Sequence, residues 1–441
     1  MPQNQPKKRN TLNRRHFLGT AAAAGAVGYF VNPGSVLASN SPNEKLNLAC
    51  VGATNRAGAN IARLKSQNIV AIADIDSKLL EKGSAPYKDA RKYRDFRVML
   101  EKEAENIDAV VVGTPDHTHA PAAAMAMRMK KHCYCEKPLA HTVKECRVLA
   151  ELAKKHSLKT QMGTQIHAGD NYRRVVEAVQ GGLIGEVKEA HVWSNAQYSG
   201  GKFVKTEKPA HVDWDLWLGP AVERPYSKNV HPFNWRRFWD YGTGALGDFG
   251  CHFMDLTHWA LMLTHPTKIS AQGEPLDPVM PPKWCMVNYE FPARESMPAV
   301  KLTWYDGGKK PKLLSSLKDK NGKPLNWGAG QLFVGSKGMI LSNYGQHVLL
   351  PEEDFVDVER PEKSIPKSIG HHNEWVDAIK NDKTTTCNFE YSGALSEAVM
   401  LGVVAFKSQQ TIEWDAENLK VKNDEGAQDL IHKEYRKGWT L

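Results

Sequence analysis

Short apolar runs alternate with amphipathic stretches over residues 46–164. The runs have the length of strands, and the stretches between them repeat their apolar positions with a helical period. Repeated strand–helix–strand order predicts a parallel sheet with right-handed crossovers, which is the doubly wound α/β class. Strands are predicted at 46–51, 69–73, 107–113, 132–135 and 159–163, and helices at 120–130 and 143–155.

The rhythm changes after residue 164. One predicted helix and one strand are followed by a long irregular stretch rich in Trp, Pro and Gly. Clustered alternating runs then predict an α/β domain with a large, mostly antiparallel open sheet, closed by two helices. We therefore expect two domains, at 39–165 and 166–441. The predicted helices are 171–180, 372–379 and 394–408, and the predicted strands are 187–194, 267–271, 284–291, 299–304, 331–334 and 339–342.

Residues 1–38 have the pattern of an export signal. A basic stretch ends in Arg14-Arg15, an apolar run covers 19–31, and small residues suited to cleavage follow at 36–38. This predicts a twin-arginine signal read by the export machinery, and hence a periplasmic or otherwise exported protein. Because the run is shorter than the roughly 20 residues of a membrane span, an uncleaved anchor is the minor alternative.

Composition and charge add little about partners. The 441 residues are 41% hydrophobic and 24% charged, an ordinary globular composition. Five of the +9 formal charges lie before residue 39, so a mature chain would carry about 9 − 5 = +4. That is too little for a charge-driven nucleic-acid binder. The seven cysteines are odd in number and irregularly spaced, which indicates structural thiols rather than a disulfide framework.

The first predicted strand runs into a turn that starts at Gly52. A dinucleotide-binding turn lets backbone N–H groups reach a pyrophosphate at a helix N-terminus, and it favours glycine at three spaced positions. Thr54 and Ala57 occupy the second and third positions here, so the motif alone is weak. An ordinary strand–helix turn is the alternative. Asn55 and Arg56 complete the predicted cofactor turn.

An acidic residue ends the second predicted strand. Asp74 can accept hydrogen bonds from the adenosine ribose hydroxyls and would repel a 2′-phosphate. NAD is therefore favoured as the cofactor, while Arg56 leaves NADP open.

Two later strand ends carry polar residues to the same predicted sheet edge, where ligands of open parallel sheets bind. One delivers the segment Thr114-Pro115-Asp116-His117-Thr118-His119, and the next delivers Glu136-Lys137-Pro138. A lone His-x-His pair could bind a metal, but the sequence shows no third and fourth ligand nearby, so no metal site is predicted. Among these residues we predict cofactor contacts from Thr114, Pro115, His119 and Glu136.

These motifs, together with Gly247-Asp248-Phe249-Gly250-Cys251-His252, resemble the Gfo/Idh/MocA oxidoreductase family, in particular its bacterial exported branch. The resemblance spans essentially the whole mature chain. It implies a Rossmann domain followed by an open-sheet α/β domain, a nicotinamide cofactor between them, and dimers or tetramers. It also implies catalytic roles for Lys137 and His252, assisted by Asp248.

Those three residue types suit alcohol oxidation, because the hydroxyl must lose a proton as the carbon gives up a hydride. His252 has the reference pKa of a base near neutral pH, and Asp248, four residues earlier, could orient its imidazole. Lys137 could donate a hydrogen bond to the developing alkoxide. The alternative is that Asp248 caps a helix and His252 is an interior histidine.

The irregular stretch offers a sugar-binding surface of aromatic faces and forked polar donors. His231 and Arg236 are the preferred substrate contacts, with His167 as a weaker candidate, and the alternative is that the tryptophans only pack the loop down. The sequence as a whole predicts hydride transfer to or from a secondary alcohol of a sugar, polyol or glycoside with tightly bound cofactor. Redox-neutral glycoside processing with recycled NAD and non-catalytic sugar binding remain the alternatives.

Overall fold

The computed structural model describes residues 45–441, so the predicted export signal lies outside the described residues. The chain from Asn47 to Met162 forms a six-stranded parallel sheet with the order β3-β2-β1-β4-β5-β6. This confirms the doubly wound class. Its strands are β1 Asn47–Val51, β2 Asn68–Ala73, β3 Arg91–Tyr93, β4 Ala109–Val112, β5 His132–Cys135 and β6 Thr160–Met162.

Helices cover both faces of this sheet. Strand burial explains the continuous apolar runs, since every residue of β4 is buried. The helices are α1 Asn55–Arg63, α2 Ser77–Ser84, α3 Phe96–Glu103, α4 His119–Arg128 and α5 Val143–Lys155. Helix α5 starts at a reciprocal capping box between Thr142 and Glu145, which explains why its predicted start agrees with the structure.

The second sheet has nine strands in the order β13-β12-β11-β7-β10-β9-β8-β14-β15. Only the β7–β10 pair is parallel among its described pairings, so the predicted mostly antiparallel sheet is confirmed. Its strands are β7 Val187–Trp193, β8 Lys268–Gly273, β9 Cys285–Phe291, β10 Val300–Tyr305, β11 Gly330–Gly335, β12 Met339–Ser342, β13 His347–Leu350, β14 Ile412–Asp415 and β15 Lys420–Val421.

The helices after residue 165 pack the nine-stranded sheet against the six-stranded parallel sheet. They are α6 Asp170–Gln180, α7 Trp214–Leu218, α8 Gly244–Ala260, α9 His371–Lys380, α10 Phe389–Ser408 and α11 Glu425–Asp429. Trp375 of α9 belongs to the apolar cluster of the parallel sheet, and Glu397 of α10 pairs with Arg147 of α5 at 2.9 Å. The two halves thus share one interior, and the predicted boundary at residue 165 stays a prediction.

Helix α10 is long and apolar enough to cross a membrane, yet it is mostly buried inside the protein and serves as a core helix. All seven cysteines are buried and free in the described chain, as predicted for structural thiols. Within residues 45–441 no group of three His, Cys, Asp or Glu side chains is placed to hold a metal ion.

Candidate active site

A cleft of about 640 Å³ opens at the carboxyl ends of β1, β2, β4 and β5. Its other wall is the start of α8 and the irregular stretch between β7 and α8. Of the predicted site residues, only His119 and His167 do not line this cleft. The predicted residues that do line it are Gly52, Thr54, Asn55, Arg56, Asp74, Thr114, Pro115, Glu136, Lys137, His231, Arg236, Asp248 and His252. We call the part formed by the turn after β1, Asp74 and Glu136 the glycine-turn half, and the part around Lys137 and Asp248 the charged half.

The glycine-turn half is built from bare backbone. Gly52 has a φ of +95°, and a Cβ there would lie 2.9 Å from the Cβ of Ala57. A Cβ at Gly113, at the end of β4, would lie 2.7 Å from the same atom. Ala57 therefore stands where a third glycine is expected because two glycines opposite it leave room. Helix α1 begins at Asn55 without a side-chain cap, so its first N–H groups are available at the cleft.

Asp74 holds this turn in place. Its Oδ2 accepts a hydrogen bond from the Ala53 N–H at 3.0 Å, and its Oδ1 accepts one from Asp76 at 3.0 Å. Burial raises the pKa of Asp74 to about 6, although these two backbone donors favour its charged form. The side chain also lines the cleft, so it combines a structural contact with a position suited to a ribose hydroxyl.

Glu136 closes the rear of the glycine-turn half. Its Oε1 accepts hydrogen bonds from Asn60 and Gln165, both at 2.9 Å. Gly163 provides its space, because a Cβ there would lie 2.6 Å from the carboxyl carbon. Burial raises the pKa of Glu136, with the Asn60 hydrogen bond acting in the opposite direction. A turn without side chains, an uncapped helix start and the buried carboxyl groups of Asp74 and Glu136 fit a dinucleotide.

The charged half is centred on the Asp248 carboxylate. Lys137 Nζ lies 2.5 Å from Asp248 Oδ1 and 2.9 Å from the Asp248 carbonyl oxygen. Arg236 Nε donates to the same Oδ1 at 3.2 Å. Burial alone would raise the pKa of Asp248, but the two cations hold it well below its usual range. Asp248 is thus ionised and fixes both cations at the cleft.

The structure assigns His252 a different partner arrangement from the predicted one. Asp248 and His252 share helix α8, yet the Asp248 carboxylate bonds Lys137 and Arg236 and not the imidazole. Within the described chain, Nδ1 of His252 has no hydrogen-bond partner. Burial, and then the positive charge of Lys137, lower the pKa of His252 to about 3. The imidazole is therefore neutral at neutral pH and a weaker base than its reference value predicts.

Two further cleft residues were missed by the sequence reasoning. Asp116 follows β4, and its Oδ2 accepts a hydrogen bond from the Thr243 hydroxyl at 3.1 Å. Burial raises the pKa of Asp116 to about 7, although Arg236 and Lys137 act to lower it. Tyr198 stacks on Phe249, with ring centroids 6.1 Å apart, and its phenol interacts with Asp248. Asp116 stood inside a motif already singled out, whereas Tyr198 lies in a stretch without periodicity and gave no signal.

The aromatic stretch contributes to the cleft and to its own packing. Trp217 and Trp235 line the cleft, and the Arg236 guanidinium lies 4.0 Å over the Trp235 ring. His231 lines it too, edge-on to Trp217 with centroids 5.8 Å apart, and burial lowers its pKa to about 4. Trp214 and Trp239 are buried outside the cleft lining. Some aromatic residues of this stretch therefore line a possible sugar-binding surface, as predicted, and others pack the stretch down, as the alternative predicted.

His119 and His167 lie behind the cleft, in contrast to the contacts predicted for them. Both ring nitrogens of His119 face backbone carbonyls at 2.8 Å, those of Pro138 and Thr114. His119 thus ties the two strand-end segments together from behind. His167 is completely buried, its Nδ1 2.9 Å from Asp255 Oδ1 and its ring stacked on Trp259 at 4.1 Å. It lines no part of the cleft.

Comparison with known proteins identifies the family. A model for an oxidoreductase family with an NAD-binding Rossmann fold matches residues 46–164, and a model for the C-terminal α/β domain of that family matches 179–295 and 329–441. The chain belongs to the Gfo/Idh/MocA oxidoreductase family. Its cofactor is accordingly NAD, and the predicted resemblance is confirmed, while assignment to an exported branch stays a prediction.

The individual proteins that are similar to this chain have low sequence identity to it. The uncharacterized oxidoreductase YrbE of Bacillus subtilis is 27% identical over 183 residues, which cover 39% of this chain and 52% of that protein. An alpha-N-acetylgalactosaminidase of Shewanella oneidensis is 24% identical over 207 residues, 40% of this chain and 45% of that enzyme. The matches thus span about half of each relative. The WlbA dehydrogenase of Bordetella pertussis, solved with NADH and UDP-GlcNAcA, has the same fold at 15% identity, with a TM-score of 0.57 over 84% of this chain and 99% of that one.

Proposed function

We propose that this protein moves a hydride between NAD and a secondary alcohol of a sugar, polyol or glycoside. The observation that carries the proposal is the cluster of Lys137, Arg236 and Asp248, which joins the glycine-turn half to the aromatic stretch in one cleft. The cluster can hold a hydroxyl at the point where the two surfaces meet. Family membership supports the redox chemistry, and the sugar-processing relatives support the substrate class.

NAD, when bound, accepts or returns the hydride. The backbone of the turn after β1 and the start of α1 would hold its pyrophosphate, and Asp74 its adenosine ribose. Lys137 would donate a hydrogen bond to the alcohol oxygen and stabilise negative charge there as the proton leaves. Asp248 keeps Lys137 at the required position, and neutral His252 can accept a hydrogen bond from the hydroxyl.

A hydrogen-bonded strap supports the proposal that NAD is held tightly. Residues 211–213, just before α7, pair with residues 75–77, just after β2, beside the adenosine end of the cleft. The pairing is a bridge between Asp76 and Val212. Ser77 N–H donates to the His211 carbonyl at 2.9 Å, and Asp213 N–H donates to the Ile75 carbonyl at 3.0 Å. Because these bonds fix residues 75–77 next to the adenosine end, we expect bound NAD to exchange slowly.

The test is the absorbance of natively folded protein. We expect it to purify with bound NAD, and we expect the reduced-nicotinamide band to rise or bleach when a reactive sugar or glycoside from a panel is added. Protein that binds NAD but neither changes its spectrum nor converts any member of the panel would reject the enzyme and favour the non-catalytic sugar-binding alternative.

Redox-neutral glycoside processing is the second candidate, and the glycosidase relatives are the observation that favours it. Product analysis separates the two functions. A net oxidoreductase gives an oxidised or reduced sugar, whereas the second candidate releases a hydrolysed glycoside and leaves NAD in its starting state.

Export and assembly complete the proposal. We propose that the twin-arginine pair Arg14-Arg15 directs export of the folded, NAD-loaded protein, and that the mature chain forms a homodimer or homotetramer. Replacing both arginines by lysine should retain the protein in the cytoplasmic fraction, and sedimentation of the purified protein should give the oligomer mass. Periplasmic accumulation of the double variant would reject the export route.

A further inference from the structure

A second cavity lies behind the charged half of the cleft. It has a volume of about 170 Å³ and is lined by residues that include His141, Thr243, Lys407 and Lys433. This is room for several water molecules in a polar site. We call it the back cavity.

One side chain spans the wall between the cleft and the back cavity. Thr243 lines the back cavity, and its hydroxyl donates to Asp116 Oδ2, which lies in the cleft lining, at 3.1 Å. Both residues are almost completely buried, at 3% and 2% exposure. Gly247 leaves the room for this hydroxyl, since a Cβ at Gly247 would lie 1.7 Å from Thr243 Oγ1.

Polar groups continue from Thr243 across the back cavity. Lys433 Nζ lies 3.1 Å from both His141 Nδ1 and Glu145 Oε1. Burial lowers the pKa of Lys433, with Glu145 acting in the opposite direction. Groups that exchange protons with water therefore face the far side of the wall from Asp116.

The charged groups that act on Asp116 come from every element around it. Arg236, Asp248 and Lys137 face it in the cleft, and Tyr198 and Lys433 lie near enough to interact electrostatically. Burial is the largest influence and outweighs these cations, so it raises the pKa of Asp116 to about 7. Asp116 thus combines a raised proton affinity with a hydrogen bond to the Thr243 hydroxyl, which borders the back cavity.

We propose that Asp116 carries the reaction proton out of the cleft through the Thr243 hydroxyl into the back cavity. The inference rests on the proposed function. NAD, when bound, would accept the hydride of the alcohol, and the hydroxyl proton would pass to the Asp116 carboxylate, directly or through Lys137. The Asp116 carboxylic acid then protonates the Thr243 oxygen as the Thr243 hydroxyl proton passes to water in the back cavity. The carboxylate is restored, and one proton has left for each hydride.

The first experiment needs no substrate. Infrared spectra of the NAD-loaded protein are recorded against pH, with Asp116→Asn used to assign the C=O stretch of the protonated carboxyl group. We expect this band to titrate near pH 7 in the wild type and to be absent in the variant. A wild type without a protonated Asp116 band above pH 6 overturns the proposal.

The second experiment tests the route. After a rapid pH drop, Thr243→Val should slow protonation of Asp116 by at least about tenfold, whereas Thr243→Ser, which keeps the hydroxyl, should remain within about twofold of wild type. An equal rate in the valine and serine variants overturns the route through Thr243. Asp116→Asn retains an oxygen that accepts from Thr243, which keeps the fold comparable.

Turnover gives the third readout and separates the two proposals. With a sugar that reduces bound NAD, a pH-indicator dye should follow the nicotinamide absorbance in the wild type and lag behind it in Thr243→Val. Coincident dye and absorbance traces in Thr243→Val overturn the proton route while leaving the proposed function intact. If no sugar reduces NAD, the proposed function fails, and the infrared measurements still decide whether this route to Asp116 exists.

Discussion

The two halves of the cleft use different materials. The glycine-turn half presents backbone, with Gly52 and Gly113 clearing the space that Ala57 fills. The charged half presents long side chains from separate parts of the chain, fixed to one another through Asp248. The first half depends on the absence of side chains, and the second depends on their mutual neutralisation.

This difference separates binding from chemistry. Backbone N–H groups at a helix start hold an anion without titrating, so the contact with the NAD pyrophosphate should not change with pH near neutrality. The charged half contains carboxylates with opposite shifts: the pKa of Asp248 lies well below its usual range, and burial raises that of Asp116 to about 7. Carboxylates whose environments separate their pKa values take different roles.

Removing Lys137 from the charged half should have the largest effect on the rate of hydride transfer. Lys137→Met keeps the length of the side chain but leaves the Asp248 carboxylate with Arg236 as its one hydrogen-bonded cation among the described residues. We expect hydride transfer to fall by roughly 10²–10⁴-fold while NAD remains bound. Stopped-flow absorbance of the NAD-loaded variant measures the rate. Lys102→Met, an exposed position on α3, is the matched control, and an unchanged rate in Lys137→Met would remove the lysine from the mechanism.

Acid should destabilise the whole fold through buried histidines, of which His231 and His252 line the cleft and His119 lies behind it. Burial lowers the pKa of six of them to about 3 or 4: His117, His119, His231, His252, His258 and His372. Between pH 6.5 and 4 the unfolded chain binds protons that the folded chain does not, so the free energy of unfolding falls as pH falls. Asp74, Asp116, Glu136 and Asp306, with raised pKa values, act in the opposite direction but are fewer.

We expect a net loss on the order of several kcal/mol, measured by denaturant unfolding across this pH range. His119→Asn, behind the glycine-turn half, should reduce the slope by up to one proton, whereas His156→Asn, at a partly exposed position, should leave it unchanged. Stability that is constant or rises toward pH 4 would contradict the assignment of neutral buried histidines.

The sequence predicts the glycine-turn half better than the charged half, for a physical reason. Continuous apolar strands fix where the parallel sheet ends, and so place Gly52, Asp74 and Lys137 at one edge. Strand β3 was not predicted because Arg91 and Lys92 are exposed at the sheet edge and carry no apolar pattern. Side-chain pairing across distant segments has no period, which explains why the partner of Asp248 was predicted to be His252 and is instead Lys137 with Arg236.

A methyl group added at Gly113 should disrupt the packing of the glycine-turn half and leave the charged half unchanged. Gly113→Ala would place its Cβ 2.7 Å from the Ala57 Cβ. We expect a loss of about 1–3 kcal/mol in the free energy of unfolding and weaker NAD binding. Calorimetry measures both quantities. Adding Ala57→Gly removes the Cβ contact but leaves the Cα of residue 57 at 2.8 Å, so the double variant should recover only part of the NAD affinity. A double variant as weak as the single one would show that the clash with the Ala57 methyl group is not the cause.

The smallest expected effect is at the mouth of the charged half. Phe233 lines the cleft with 63% of its surface exposed, and the Arg236 guanidinium lies 5.5 Å over its ring. An exposed aromatic face there can stack on a sugar but holds none of the reacting groups. Phe233→Ala should therefore raise KM for the sugar by about 2–10-fold and leave kcat within about twofold, as expected for the loss of a single aromatic contact. Val356→Ala, exposed and outside the cleft lining, is the control. A fall in kcat with constant KM would instead mean that Phe233 acts by holding Arg236 in the charged half.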